Sequence, residues 1–237
     1  MKLSFNYLLV GFISCAFWGC QPGKTSSDGD KVYTAANDLV NNNHKEDNPH
    51  NLTSADCDKI YTAANDHVNR YHMEKNAHDL DTAGVLLDGH LNDCRDYRVR
   101  MVNLRISVFV LAKDADRGYR FIDSLNAGEF GKTYLKQNYL SFFKAIAAIK
   151  MGDRQKRDSS FQEMVNNIWQ YIGTHLSDQM ALSEMFAMKA MIVDPEKVAD
   201  EVISLKERMP PGNSDFLDML SNSVRSMKYD VDLDEWK

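Results

Sequence analysis

The sequence predicts an all-α fold of antiparallel helix pairs stacked as a short repeat array, and three observations carry that prediction. From Cys57 onward the apolar residues recur at helical spacing, as in Cys57, Ile60, Tyr61, Ala64, Val68 and Tyr71. No Asn-Gly hairpin and no alternating β-branched run occurs anywhere. Successive helix pairs begin near 79, 114, 153 and 194, a pitch that lets each pair bury its apolar face on the next.

The N-terminus reads as an export address. Lys2 precedes Leu3 to Trp18, an uncharged run rich in Leu, Phe, Val and Ile, and the next charge is Lys24. A short positive segment followed by an apolar one is the pattern of a secretory signal peptide, here residues 1–19. The run ends in Phe17-Trp18-Gly19-Cys20, which resembles the lipobox of bacterial lipoproteins, where a small residue precedes the cysteine that is lipidated. That resemblance implies a lipid on Cys20 and residence at the cell envelope, on the outer membrane or cell surface. Residues 3–23 approach the roughly 20 needed to span a membrane, but Asn6, Gly11, Ser14 and Gly19 make a poor permanent span.

Residues 20–30 read as a polar linker, and a duplication follows. Lys31-Val-Tyr-Thr-Ala-Ala-Asn-Asp recurs as Lys59-Ile-Tyr-Thr-Ala-Ala-Asn-Asp, and 15 of the 25 pairs from 31/59 to 55/83 are identical without a gap. Each copy within 31–86 encodes one amphipathic helix, the first with the poorer stripe.

A helical-repeat domain is predicted over 79–228. Asp81 is positioned to cap a helix carrying Ala83, Leu86, Leu87, His90, Leu91 and Cys94. Tyr97 to Ala112 is apolar on most sides of its second half, as a central buried helix must be. Further helices are predicted over Asp114–Leu125, Tyr134–Met151, Asp153–Ile172 and Ser177–Ile192. Gly152 is placed to end the second of these. Asp194-Pro195 starts the next helix, an N-cap followed by Pro at N1, which runs to Pro210-Pro211-Gly212. A last helix begins at about Ser214, and 229–237 form an acidic tail. The segment Leu111-Ala-Lys-Asp-Ala-Asp-Arg-Gly-Tyr-Arg-Phe-Ile-Asp-Ser-Leu125, with Ile149-Lys-Met-Gly-Asp-Arg154 at the matching turn, resembles the tetratricopeptide-like lipoproteins common in Bacteroidetes. The likeness covers 79–228 and implies a TPR-like solenoid.

Composition and motifs narrow the function. The chain has 237 residues and a net charge of −6, so it offers no electrostatic footprint for nucleic acid. Once Cys15 leaves with the signal and Cys20 is lipidated, Cys57 and Cys94 remain in a compartment where disulfides persist. Both fall on apolar helix faces, so a bridge and two buried free thiols fit the sequence alike. Six of the seven histidines (His44, His50, His67, His72, His78, His90) lie between 44 and 90, yet their spacings match no metal-ligand pair and their Asn/Asp-rich setting suggests solvated rings. Met185, Met188 and Met191, with Met180 a turn earlier, share a helical face that reads as core rather than as a copper site. Glu129-Phe-Gly131-Lys132-Thr133 ends like a phosphate-binding loop, but Asn126 stands where that loop needs glycine, and a helix precedes it where a strand is needed. Arg95, Arg98 and Arg105 form a basic stripe, the best-marked candidate for an anionic or peptide partner.

No cofactor, metal site or catalytic constellation is expected. The reading is a non-enzymatic, membrane-tethered module binding a protein or peptide. The alternatives are an immunity lipoprotein that captures a toxin and an envelope enzyme with a scattered site. Replacing Cys20 with Ala is expected to release the protein from the membrane fraction or leave it unprocessed. Mass spectrometry of the native protein checks this, since an intact Met1 end without lipid contradicts the anchor.

Overall fold

The computed structural model describes residues 52–209 and 212–227, and every regular element among them is helical. The signal peptide, Cys20, the first copy of the duplication up to residue 51 and the acidic tail lie outside the described residues. No helix among the described residues is long and apolar enough to cross a membrane. The described chain divides into two compact units, 52–114 and 115–227.

In the N-terminal unit, α1 (Ser54–Glu74) starts at a capping box. Thr53 Oγ1 accepts the Asp56 amide at 3.2 Å, and Asp56 Oδ2 accepts the Thr53 amide at 3.2 Å. It stops at Lys75, which is left-handed (φ 57°) and returns its amide to the Tyr71 carbonyl. Asn76 then caps α2 (Ala77–His90) by accepting from the His78 amide. The predicted cap, Asp81, is instead an exposed residue inside the helix, because burial of Leu80 and Ala83 on one face draws the start back a turn. A 3-10 turn, Arg95–Tyr97, leads into α3 (Arg98–Leu111), which is buried nearly throughout from Met101 to Val110. Gly84 on α2 faces the Arg105 guanidinium, and a Cβ there would lie 2.6 Å from Arg105 Nη1, so a larger residue would have to displace that side chain.

The two cysteines that the sequence left open are bridged. Cys57 of α1 and Cys94, just before α3, form a disulfide with Cα atoms 5.5 Å apart, closing a separation of 37 residues.

The C-terminal unit contains α4 (Ala115–Ser124), α5 (Leu135–Lys150), α6 (Arg154–Ile172), α7 (Gln179–Ala190), α8 (Pro195–Ser204) and α9 (Ser214–Arg225). Each helix packs chiefly on its neighbours in sequence. Asp153, Asp178 and Asp194 cap α6, α7 and α8 by accepting backbone amides at 3.0 Å, and Pro195 occupies N1. The α7 cap is thus Asp178 rather than the predicted Ser177. Gly152 ends α5 with φ 70°, as its position in the sequence suggests. Past Ser204, α8 gives way to a 3-10 turn at Leu205–Glu207 and stops short of the predicted end.

The helices pair antiparallel. Tyr134 meets Tyr171, Asn138 meets Asn167 and Lys144 meets Glu163, a descending register that fixes α5 against α6. Arg225 bonds Glu196 and Asp200, and Lys206 bonds Asp218, aligning α9 on α8. Gly118 lets α4 approach α5, because a Cβ there would overlap the Phe143 ring at 2.3 Å. Met185 lies in the core with Ile168, Ile172 and Leu217, Met188 packs against it and Met191 is buried, but Met180, in the first turn of α7, is 41% exposed, so the methionine face is core only from Met185 on.

Under the chain-entropy account, a loop of this size contributes ~4 kcal/mol. Replacing Cys57 and Cys94 together with Ala is expected to destabilise the N-terminal unit by about 3–4 kcal/mol. Amide exchange should accelerate across 54–111 and stay unchanged across 154–225. A uniform effect, or none, would contradict this assignment.

Candidate functional site

The arginines do not form one open stripe. Arg95 is exposed on the 3-10 turn. Arg98 is half-buried, and its Nη1 donates to the Leu91 carbonyl at 3.0 Å and to Asn92 Oδ1 at 2.9 Å. Arg105 is only 4% exposed. Its Nε and Nη2 donate to the two Asp88 carboxylate oxygens at 2.8 and 2.7 Å, and its guanidinium lies 3.9 Å from the Phe109 ring centroid. The candidate binding set therefore loses Arg105, because α3 is a central helix and its charged side chains are carried indoors, where they must be paired.

The histidines also divide. His78 is exposed and His72 half-buried, whereas His67 and His90 are buried, contrary to the solvated reading. Burial, helped by the Lys75 charge, lowers the His72 pKa. His67 Nδ1 lies 2.7 Å from Asp79 Oδ1, and Arg70 Nε lies 3.3 Å from the same oxygen. Burial works to raise the Asp79 carboxyl, but the hydrogen bond to His67 and the Arg70 charge hold it below the usual carboxylate value. Among the described residues no three His, Cys, Asp or Glu side chains come together as metal ligands would.

A polar cluster of the C-terminal unit lies where the segment before α5, the end of α6 and the first half of α7 meet. Lys132, from the loop-like motif, follows helix α4 rather than a strand. Its Nζ sits 2.8 Å from Asp178 Oδ2, and it lies 5.9 Å from the ring centroids of Tyr134 and Tyr171. Asp178 also accepts from the Tyr171 hydroxyl at 3.1 Å while capping α7. The Tyr171 ring stacks on His175 with centroids 4.1 Å apart and stands 4.9 Å from the Tyr134 ring. Tyr134 donates its hydroxyl to Glu184 Oε2 at 2.7 Å.

The two carboxyls are driven apart. Burial raises Glu184, which Tyr134 and Lys132 offset only in part, while the neighbouring Asp178 charge adds to the rise. Burial also acts to raise Asp178, but the bonds from Lys132, the Ala181 amide and Tyr171 prevail and hold it low. Tyr134 and Tyr139 are pushed far up, mainly by burial, so both phenols stay protonated. The joint thus holds a fixed ion pair beside one proton-accepting carboxyl, with a phenol aimed at it.

Sequence reasoning missed Glu184. The signal was a lone carboxylate one turn from Met180 and from Met188, on the methionine face itself. Neither a protein-family model, nor a curated protein, nor a solved structure matches the chain.

A carboxyl whose folded pKa is raised contributes most to stability at acid pH, and that contribution falls as pH climbs from the unfolded to the folded value. Asp178 has the opposite sign, losing its stabilisation as pH drops through its lowered folded value. Glu184→Gln keeps an acceptor for Tyr134 and removes the charge, so its melting temperature at pH 7.5 should equal or exceed wild type. Tyr134→Phe should cost about 1–3 kcal/mol by leaving the carboxylate without its donor. Thermal unfolding from pH 4 to 8 checks both. A Gln variant clearly less stable than wild type at pH 7.5 would mean that the Lys132 charge rewards the anion.

Proposed function

We propose that this chain is an envelope-tethered, TPR-like helical module, lipidated on Cys20, that binds a protein or peptide. Pairs of helices stacked in sequence order present long outer faces, and such faces suit extended partners. The observation that carries the reading is Trp169. Its indole is 44% exposed on the outer face of α6, among Gln162, Asn166 and Gln170. A large aromatic held in water on a neutral polar face is what a binding hot spot needs: buried area gained on contact, with little charge to desolvate. The N-terminal unit adds Arg95, the one arginine of the predicted set that is exposed, as a contact for an acidic group.

The test is quantitative recovery of a defined partner by the native lipidated protein from detergent-solubilised envelopes of its own cells. Trp169→Ala is expected to reduce recovery at least tenfold with an unchanged melting temperature, and Arg95→Glu to reduce it by a smaller factor. Full recovery by the Trp169 variant, or no partner above a bait-free control, would overturn the reading.

A further inference from the structure

The contacts of α1 show that the duplicated unit is longer than its core repeat. The capping box of α1, Thr53-Ser54-Ala55-Asp56, stands 28 residues after Thr25-Ser26-Ser27-Asp28, and Asp58 stands 28 residues after Asp30. Thr25, Ser26, Asp28 and Asp30 are identical to their counterparts, so 19 of the 31 pairs from 25/53 to 55/83 match. The first copy therefore carries its own helix-start signal, and the residues that hold α1 in place are largely present twice.

The hydroxyl of Tyr97 donates to Asp58 at 2.9 Å, and the Tyr97 ring lies 6.2 Å from that of Tyr61. Asp30 and Tyr33 occupy those positions in the first copy. The buried Ile60, Ala63, Ala64 and Val68 are matched by Val32, Ala35, Ala36 and Val40. Four contacts are particular to the second copy. Cys57, His67, Arg70 and Tyr71 face Gly29, Leu39, Asn42 and Asn43 in the alignment, and Asp79, the partner of His67 and Arg70, faces Asn51.

We propose that the surface filled by α1, against α2, α3 and Tyr97, is a docking site with two occupants in one chain. Residues 25–46 compete for it, and the Cys57–Cys94 bond decides in favour of 53–74. The two segments are the same length, and 25–46 carries apolar residues at the buried positions of α1 and the same residues, Asp30 and Tyr33, at the positions that meet Tyr97. When 25–46 dock, the 30 residues from 47 to 76 suffice to loop out and return to α2. Closing the bond is a thiol–disulfide exchange. The two thiols of Cys57 and Cys94 give up two protons and two electrons, and a disulfide donor, a protein oxidoreductase or oxidised glutathione, accepts them as two thiols. Because the first copy has glycine at the bonding position, only the second can be locked.

Gly29→Cys equips both copies for the bond. The full chain carrying that substitution, with Cys57 retained, is equilibrated in a glutathione redox buffer, and its linked peptides are counted by mass spectrometry of the monomer fraction. The peptide joining position 29 to Cys94 is expected at a tenth or more of the native Cys57–Cys94 peptide. Ser27→Cys places the thiol at the position equivalent to the exposed Ala55, and should give at least tenfold less. A lower share for Gly29→Cys, equal shares in the two variants, or linkage found only in dimers would overturn the proposal.

Discussion

Each helix in both units must hide an apolar stripe against the helix before or after it, and the rest of the structure follows from how that is done. Helices this short are marginal alone, so their stability comes from the shared interface rather than from propensity. Burying a face also brings indoors whatever polar groups lie on it, and those groups must then find partners. Arg105 is the plainest case: α3 is buried on most sides, so its guanidinium is spent on Asp88 and on the Phe109 ring. Glu184 is the same event on α7, with Tyr134 as the local answer.

The duplication sets two versions of one sequence side by side. In the second copy the α1–α2 contact includes His67, Arg70 and Asp79, all interacting. In the first copy the aligned residues are Leu39, Asn42 and Asn51, which carry no charge. A buried charged cluster and an apolar or neutral set of similar size are often close in energy, and removing one member of the cluster costs far more than replacing all of it. The three positions change together between the copies, as that rule favours. The disulfide then supplies what the shared face cannot, a contact available to only one copy.

The C-terminal unit uses its polar residues mainly at helix starts and between paired helices. Asp178 caps α7, holds Lys132 and accepts from Tyr171, so one carboxylate fixes a helix, a loop and a neighbouring helix. Trp169 stands apart from this economy. It is exposed, and its neighbours on the outer face are neutral, so the packing of α6 gives no reason for an indole there.

Helix periodicity, capping residues and the glycine and proline stops determined the all-α class, the number and order of helices from 54 onward, and the core role of Met185, Met188 and Met191 though not of Met180. These signals are local: a stripe, an N-cap or a left-handed glycine acts through residues within about a turn. They failed by a few residues where a tertiary contact moved a boundary, as when burial of Leu80 drew the α2 start from Asp81 back to Asn76. Only the tertiary structure decided that Cys57 and Cys94 meet, that His67 and Arg105 are indoors, and that Glu184 faces Tyr134. Each of those depends on which face of one helix is laid against which face of another, and on the distance between residues 12 to 50 positions apart. Periodicity says that a face is buried, but not what it is buried against.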